Sequence, residues 1–240
     1  MKVTLISHTQ DAEALLVFTK QARLGLSVAR LHDIVRMPRE KIEAELAYMA
    51  DTIPSSWEFV DYVFCVEGVS RAYTHQQVRT RTGSYAQQSL RVVNKSDFDY
   101  VWPDRGLPPL ARQSIGWALS AIKQAYADAV EHGAPVEDAR GILPTNIATN
   151  IVCKFNLRTM CELAASRTGG RTQGEYQAVV GAMCDEVLRV HPWAERFLFP
   201  KERNYFDDIE AFAEKEFGGD LLRKGALLKI VDKMRKERQQ

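Results

Sequence analysis

The run FVDYVFCVEGV, which begins at Phe59, constrains this chain most. Aromatic and β-branched residues fill it, and these suit a pleated, half-buried strand better than a helix. The reading is a strand from Phe59 to Val66, ended by Gly68. Further strands are read at Val3–Ser7, in the stretch Gln88–Val93 and in IVCKFNL from Ile151. These segments lie far apart, with irregular helical insertions between them. The pattern is α+β, and no regular βαβ alternation is present.

The helical segments have their own punctuation. DAEALLVFTKQARL carries apolar residues at helical spacing, with Asp11 at its start. Pro38 opens REKIEAELAYMADTIP, which sets Ile42, Leu46 and Met49 on one face, and Pro54 closes it. SRAYTHQQVRT predicts a helix with Ser70 as its N-cap. Pro108 to His132 is a long helix with Ile115, Leu119, Ile122 and Tyr126 in register, stopped by Gly133. VEDARGILP is a short helix broken before Pro144, while RTMCELAAS and QGEYQAVVGAMCDEVLRV are longer ones. Two more helices are read from Asp207 onward, the last of them basic. The organisation expected is one domain over 1–240, with a helical C-terminal extension from about 200.

Charge and composition remove several classes. With 45% hydrophobic residues over 240 positions the chain can build a core. A formal net charge of +1 argues against nucleic-acid binding through bulk charge. The four cysteines form no C-x-x-C pair and lie in apolar stretches, as reduced core residues do. The five histidines are scattered, which gives no zinc spacing. MKVTLISHTQ reads as a strand and not as a signal peptide, and no apolar run reaches the ~20 residues of a membrane helix. A cytoplasmic protein is expected.

The chemistry concentrates in RTRTGSYAQQSLR, Arg79 to Arg91: three arginines, two serines, two glutamines and no acid. If Gln76 and Arg79 are helical they share a face. If the chain after Ala86 is extended, Gln87, Ser89 and Arg91 point one way. Guanidinium forks with hydroxyls and amides form a cradle for phosphate. Composition alone suits a solvated loop equally well. Three further segments favour the cradle: DARGILP with Arg140, FNLRTMCE with Asn156 and Arg158 at a strand–helix junction, and ASRTGGR with Arg167 at a helix end.

In this order the segments resemble the flavin-dependent thymidylate synthases. That family's signature is R-H-R, seven residues, then S. Here it stands as Arg79-Thr80-Arg81, seven residues, then Ser89, with Arg91 two further on. The likeness runs from about Ser55 to Glu175, through EGVSRAYTHQQVR, ARGILPTN, NLR and SR. It implies a ThyX-like α+β fold of mixed helices and an antiparallel sheet, assembled as a homotetramer with active sites between subunits. It implies a methyltransferase that makes dTMP from dUMP with FAD, methylenetetrahydrofolate and NADPH. Carried over by position, Gln76, Arg79, Gln87, Ser89, Leu90, Arg91 and Arg140 surround dUMP. Arg167 faces the uracil ring as the catalytic cation. Ser55, Arg79, Thr80, Arg81, Gln87, Asn156, Arg158 and Glu162 lie along FAD. Ser89 has no nearby His or Asp to activate it, so it is assigned to binding.

Four positions depart from the family pattern. Thr80 replaces the signature histidine, and Ile53 stands where another histidine is usual. Val92 replaces a tyrosine, and Glu162 brings an acid to the flavin side. The expectation is that nucleotide binding is kept while flavin handling, reductant use or the C5 modification has diverged. Other readings are a related C5 methylase or hydroxymethylase acting on UMP or another pyrimidine nucleotide, and an inactive nucleotide- or flavin-binding homologue. A nucleic-acid module built on the basic last helix is the weakest reading.

Overall fold

The computed structural model describes residues 1–22, 29–102, 106–169, 172–200 and 205–238. Its frame is one antiparallel sheet of four strands, β1 (Lys2–His8), β2 (Asp61–Ser70), β3 (Ser84–Gln87) and β4 (Ala148–Asn156). Their spatial order is β1-β2-β4-β3. The helices are α1 (Ala12–Gln21), α2 (Ala29–Val35), α3 (Arg39–Thr52), α4 (Arg71–Gln77), α5 (Pro109–Glu131) and α6 (Val136–Ala139). They continue as α7 (Leu157–Arg167), α8 (Gly174–Val190), α9 (Glu195–Leu198), α10 (Tyr205–Phe217) and α11 (Leu221–Arg238). The arrangement is α+β, as the sequence predicts.

The central pair explains the sheet's position. Alternation puts Tyr62, Phe64 and Val66 of β2 on the buried face beside Ile151, Cys153 and Phe155 of β4. Helix α8 covers that face with Tyr176, Val179, Val180, Met183 and Val187, all fully buried. Burying each such side chain contributes roughly 1.5–3 kcal/mol. The opposite face of β2 stays half-buried, so one layer of helices is enough.

Gly68 does not end its strand. It sits inside β2 with φ of +65° at a register shift between Val66 and Val69. Its N–H donates to Asn150 Oδ1 at 3.0 Å. The bulge turns the last two residues so that Val69 and Ser70 are both buried. Ser70 then caps α4 as predicted, its Oγ accepting from the Tyr73 N–H at 3.0 Å. Its own N–H and hydroxyl donate to the Glu175 carboxylate.

The strand predicted at Gln88–Val93 is absent. β3 covers Ser84–Gln87 and pairs only with the middle of β4. The chain then leaves the sheet after Gln88, and the end of β4 that would have paired with it is bonded to Asp99 instead, whose carbonyl accepts the Ala148 N–H at 2.8 Å. Asp11 occupies the N-cap position of α1 in a left-handed conformation and gives no side-chain cap. The predicted helical continuation through Arg23 and Leu24 lies outside the described residues. Helices α2 and α9 are additions to the sequence reading. Of the cysteines, Cys153 and Cys184 are buried, Cys65 and Cys161 half-buried, and all four are free.

The chain divides into two compact units, Met1–Pro200 and Lys201–Gln240. The second is a pair of helices, α10 and α11. Among the described residues no helix is long and apolar enough to cross a membrane.

Candidate active site

The motif begins where α4 stops. Helix α4 ends at Gln77, so Arg79 stands in the following turn and does not share a helical face with Gln76. The Arg79 N–H donates to the Gln76 carbonyl at 3.1 Å and the Thr80 N–H to that of Gln77 at 3.0 Å. The Tyr85 hydroxyl clamps this turn from across the strand, 2.7 Å from the Thr80 carbonyl oxygen and 2.9 Å from that of Gln77. Gly83 makes the clamp possible: a Cβ there would lie 2.5 Å from a Phe155 ring carbon and 2.6 Å from the Tyr85 hydroxyl. Arg79 and Arg81 are therefore exposed on a fixed turn, and neither makes an ion pair among the described residues.

The same turn meets the start of α7. Thr159 Oγ1 bonds Thr82 Oγ1 at 3.0 Å, and Asn156 caps α7 by accepting the Thr159 N–H at 2.9 Å. Arg158 points outward between two acids, 2.7 Å from Glu58 and 3.4 Å from Glu162. Hydrogen bonding to Glu58 raises its pKa above the usual arginine value. Glu58 lies in the 3-10 turn Pro54–Phe59, which also carries Ser55. Ser55 borders an apolar hollow of about 360 Å³ with Leu15, Phe18 and Phe59. Seven of the residues assigned to the flavin side, Ser55, Arg79, Thr80, Arg81, Asn156, Arg158 and Glu162, thus lie around this junction.

The residues after β3 do not point one way as an extended strand would have them. Gln87 ends β3 and donates to Thr74 Oγ1 at 2.8 Å. Ser89 accepts from the Arg91 N–H at 3.1 Å within its own loop. Gln88, which the sequence reading passed over, anchors that loop. Its N–H reaches the Asn150 carbonyl at 3.3 Å, its carbonyl accepts from Arg71 at 2.8 Å, and its side chain accepts from Lys95 at 3.1 Å. Arg91 directs both Nε and Nη2 to Glu137, at 3.2 and 3.1 Å. Arg140 donates to the Glu137 main-chain carbonyl at 3.0 Å. Glu137 therefore ties Arg91 to Arg140, and no sequence signal marked it.

Beyond Gln88 lies a hollow of about 320 Å³, bordered by Arg71, His75, Leu90, Arg140, Pro144 and Thr145 among others. Among the described residues that line it, none is acidic. Leu90 and Arg140 were both expected on the nucleotide side; Arg71 and His75 were not. Burial, the larger cause, lowers the pKa of Arg71, and the like charge of Arg140 adds to it.

Arg167 lies at the other end of α7 from Asn156, about 16 Å along the helix axis at 1.5 Å per residue. Its guanidinium rests on the buried ring of Tyr176, and its Nε is buried without a partner. Gln76 reaches the same region, donating to the Gln173 side chain at the start of α8. Within one chain the proposed catalytic cation and the flavin-side junction are thus at opposite ends of one helix. No cysteine borders the hollow, and burial pushes Cys153, Cys161 and Cys184 up to about 12. Their thiols are protonated at neutral pH and are poor nucleophiles.

The profile of the thymidylate synthase complementing protein family matches residues 4–193. A flavin-dependent thymidylate synthase of Sulfurisphaera tokodaii is 32% identical over 206 residues, covering 83% of this chain and 78% of the relative. That of Geobacter sulfurreducens is 34% identical over 201 residues, covering 80% and 84%. That of Nitratidesulfovibrio vulgaris is 35% identical over 208 residues, covering 78% and 83%.

Proposed function

The chain belongs to the flavin-dependent thymidylate synthase family, and from that membership we propose that it methylates C5 of dUMP to make dTMP. FAD, when bound, supplies reducing chemistry fed by NADPH, and methylenetetrahydrofolate supplies the one-carbon unit. The acid-free basic hollow beside the Gln88–Arg91 loop is the observation that carries the nucleotide assignment.

The donor set fits these groups. Arg79 and Arg81 stand exposed on a clamped turn, available to a dinucleotide's phosphates, and the Ser55 hydroxyl borders an apolar hollow suited to an aromatic ring. Gln76, Arg79, Gln87, Ser89, Leu90, Arg91 and Arg140 bind and orient dUMP. Thr80, Asn156, Arg158 and Glu162 complete the flavin side. C5 of uracil is a weak nucleophile, and no cysteine is among the described residues lining the basic hollow to add at C6. Arg167 therefore activates the ring electrostatically, holding the negative charge that develops as N3 ionises. Orientation of the three bound molecules supplies much of the remaining acceleration.

Arg167 and the flavin-side junction lie at opposite ends of α7, which supports a site completed by a second subunit and the homotetramer that goes with it. Cytoplasmic residence accompanies this reading.

The test is anaerobic incubation with excess FAD, NADPH, methylenetetrahydrofolate and equal amounts of dUMP, UMP and dCMP, followed by mass spectrometry. A methylene mass gain on dUMP alone is expected. Gain on UMP, or a hydroxymethyl product, would reassign the substrate or the product. Binding without turnover would leave an inactive homologue.

A further inference from the structure

The hollow beside Leu90 and Arg140 has a basic wall that the family resemblance does not name. Arg71 is the first residue of α4, its N–H fixed to the Ile147 carbonyl at 3.1 Å. The next N–H, of Ala72, is fixed to the Thr145 carbonyl at 2.8 Å. The base of the side chain is therefore immobile. Its Nη2 donates to the Gln88 carbonyl at 2.8 Å, while its Nε is buried with no partner.

The surroundings make this a costly place for a cation. Arg140 and Arg71 border the same hollow, and Lys95 stands behind them on the Gln88 side chain. Burial and then the charge of Arg71 lower the pKa of Lys95, and the nearby Asp99, outside the hollow's lining, only partly opposes them. Three cations share the neighbourhood, and the described lining supplies no acid. A structural arginine whose task was to hold one carbonyl would be better placed beside a carboxylate. A dianion seated in the hollow would offset the repulsion and accept from the Arg71 guanidinium that borders it.

We infer that Arg71 is a further residue of the substrate site, the inner cation of a hollow that takes the nucleotide's phosphate. Through the Gln88 carbonyl it also holds the Ser89–Arg91 loop at the mouth of that hollow. The inference rests on the nucleotide reading above. It adds a division of labour: Arg140 and Arg91 are tied together by Glu137 at the rim, and Arg71 works from within.

The experiment measures dissociation constants of dUMP and of deoxyuridine, which lacks the phosphate, for the full chain and for Arg71→Met and Arg71→Lys. The ratio of the two constants isolates the phosphate. A role in folding alone would weaken both ligands together and leave the ratio unchanged. For Arg71→Met the preference for dUMP over deoxyuridine should fall about 10- to 100-fold, the worth of one charge-assisted hydrogen bond. For Arg71→Lys, which keeps the charge without the fork, it should fall roughly 3- to 10-fold. If Arg71→Met fails to fold, the lysine variant decides. An unchanged ratio in a folded variant overturns the inference and leaves the nucleotide reading intact. A wild-type chain that binds no dUMP overturns both.

Discussion

The guanidinium carbon of Arg167 lies 5.1 Å from the centre of the Tyr176 ring. Tyr176 is fully buried, and Tyr73 meets it edge-on at 5.3 Å between centroids. The face of an aromatic ring attracts a cation without neutralising it, whereas a carboxylate would quench the charge on which the role proposed for Arg167 depends. Replacing the ring should therefore misplace Arg167. Tyr176→Leu should lower kcat about 30-fold with little change in the KM for dUMP, the worth of a desolvated cation–π contact of ~2 kcal/mol. Tyr176→Phe keeps the ring and should recover most of the rate. Equal kcat in the Leu and Phe variants would show that something else holds Arg167.

Thr80 should be replaceable without disturbing the turn it belongs to. Its position is fixed through the main-chain carbonyl under Tyr85, not through its side chain. Thr80→His restores the family's aromatic ring on a backbone that is already clamped. We expect flavin to bind several-fold tighter, read by titration of flavin fluorescence. Unchanged flavin affinity and unchanged turnover would make the threonine neutral and end the argument for diverged flavin handling.

Gly83 should tolerate no side chain. An added methyl would meet Phe155 and the Tyr85 hydroxyl well inside contact distance, and overpacking of this kind costs about 1–3 kcal/mol. Gly83→Ala should lower the urea midpoint accordingly. It should also weaken flavin binding, because the displaced tyrosine releases the Arg79–Arg81 turn. Loss of stability with full flavin affinity would mean that the clamp is not what presents the two arginines.

His191 should make the fold acid-sensitive. Its Nδ1 lies 2.9 Å from the Tyr62 hydroxyl, and burial first, then the charge of His8, lowers it from 6.5 to about 4. The unfolded chain then takes up the proton more readily than the folded one. The contribution is full above pH ~6.5 and is lost as pH falls from there toward 4. Melting temperature should drop across that interval, and His191→Gln should flatten the drop. An identical pH profile in the variant would assign the acid sensitivity to other groups.

What could be read from the sequence follows the range of the forces involved. Ser70 was legible as a cap because an N-cap bonds only three residues ahead. Ile42, Leu46 and Met49 were legible as one buried face because the helical period is local. Gln88–Val93 was misread because a strand exists only where a partner edge is offered, and β4 offers β3 four residues. Gly68 was misread because a glycine that ends a strand and one that bulges it look alike until the pairing register is known. The site shows the same division. The R-T-R turn and Ser89 announce themselves by spacing. Arg71 does not, because what surrounds it comes from positions 88, 95, 140 and 145–147, brought together only by folding.

The bulge at Gly68 also bears on changes of chain length. A strand presents alternate residues to alternate faces, so deleting one residue inverts everything beyond it. The bulge already absorbs one such step between Val66 and Val69. A single-residue deletion there would remove that step and leave Val69 opposite Thr149 and Ser70 opposite Ala148, on their present faces. Ser70 would still be brought to Tyr73 and Glu175. A residue lost within Asp61–Val66, where the pairing with β4 is regular, has no such outlet and would turn the side chains beyond it onto the wrong face. Changes of length should therefore be tolerated at the bulge and nowhere else along β2.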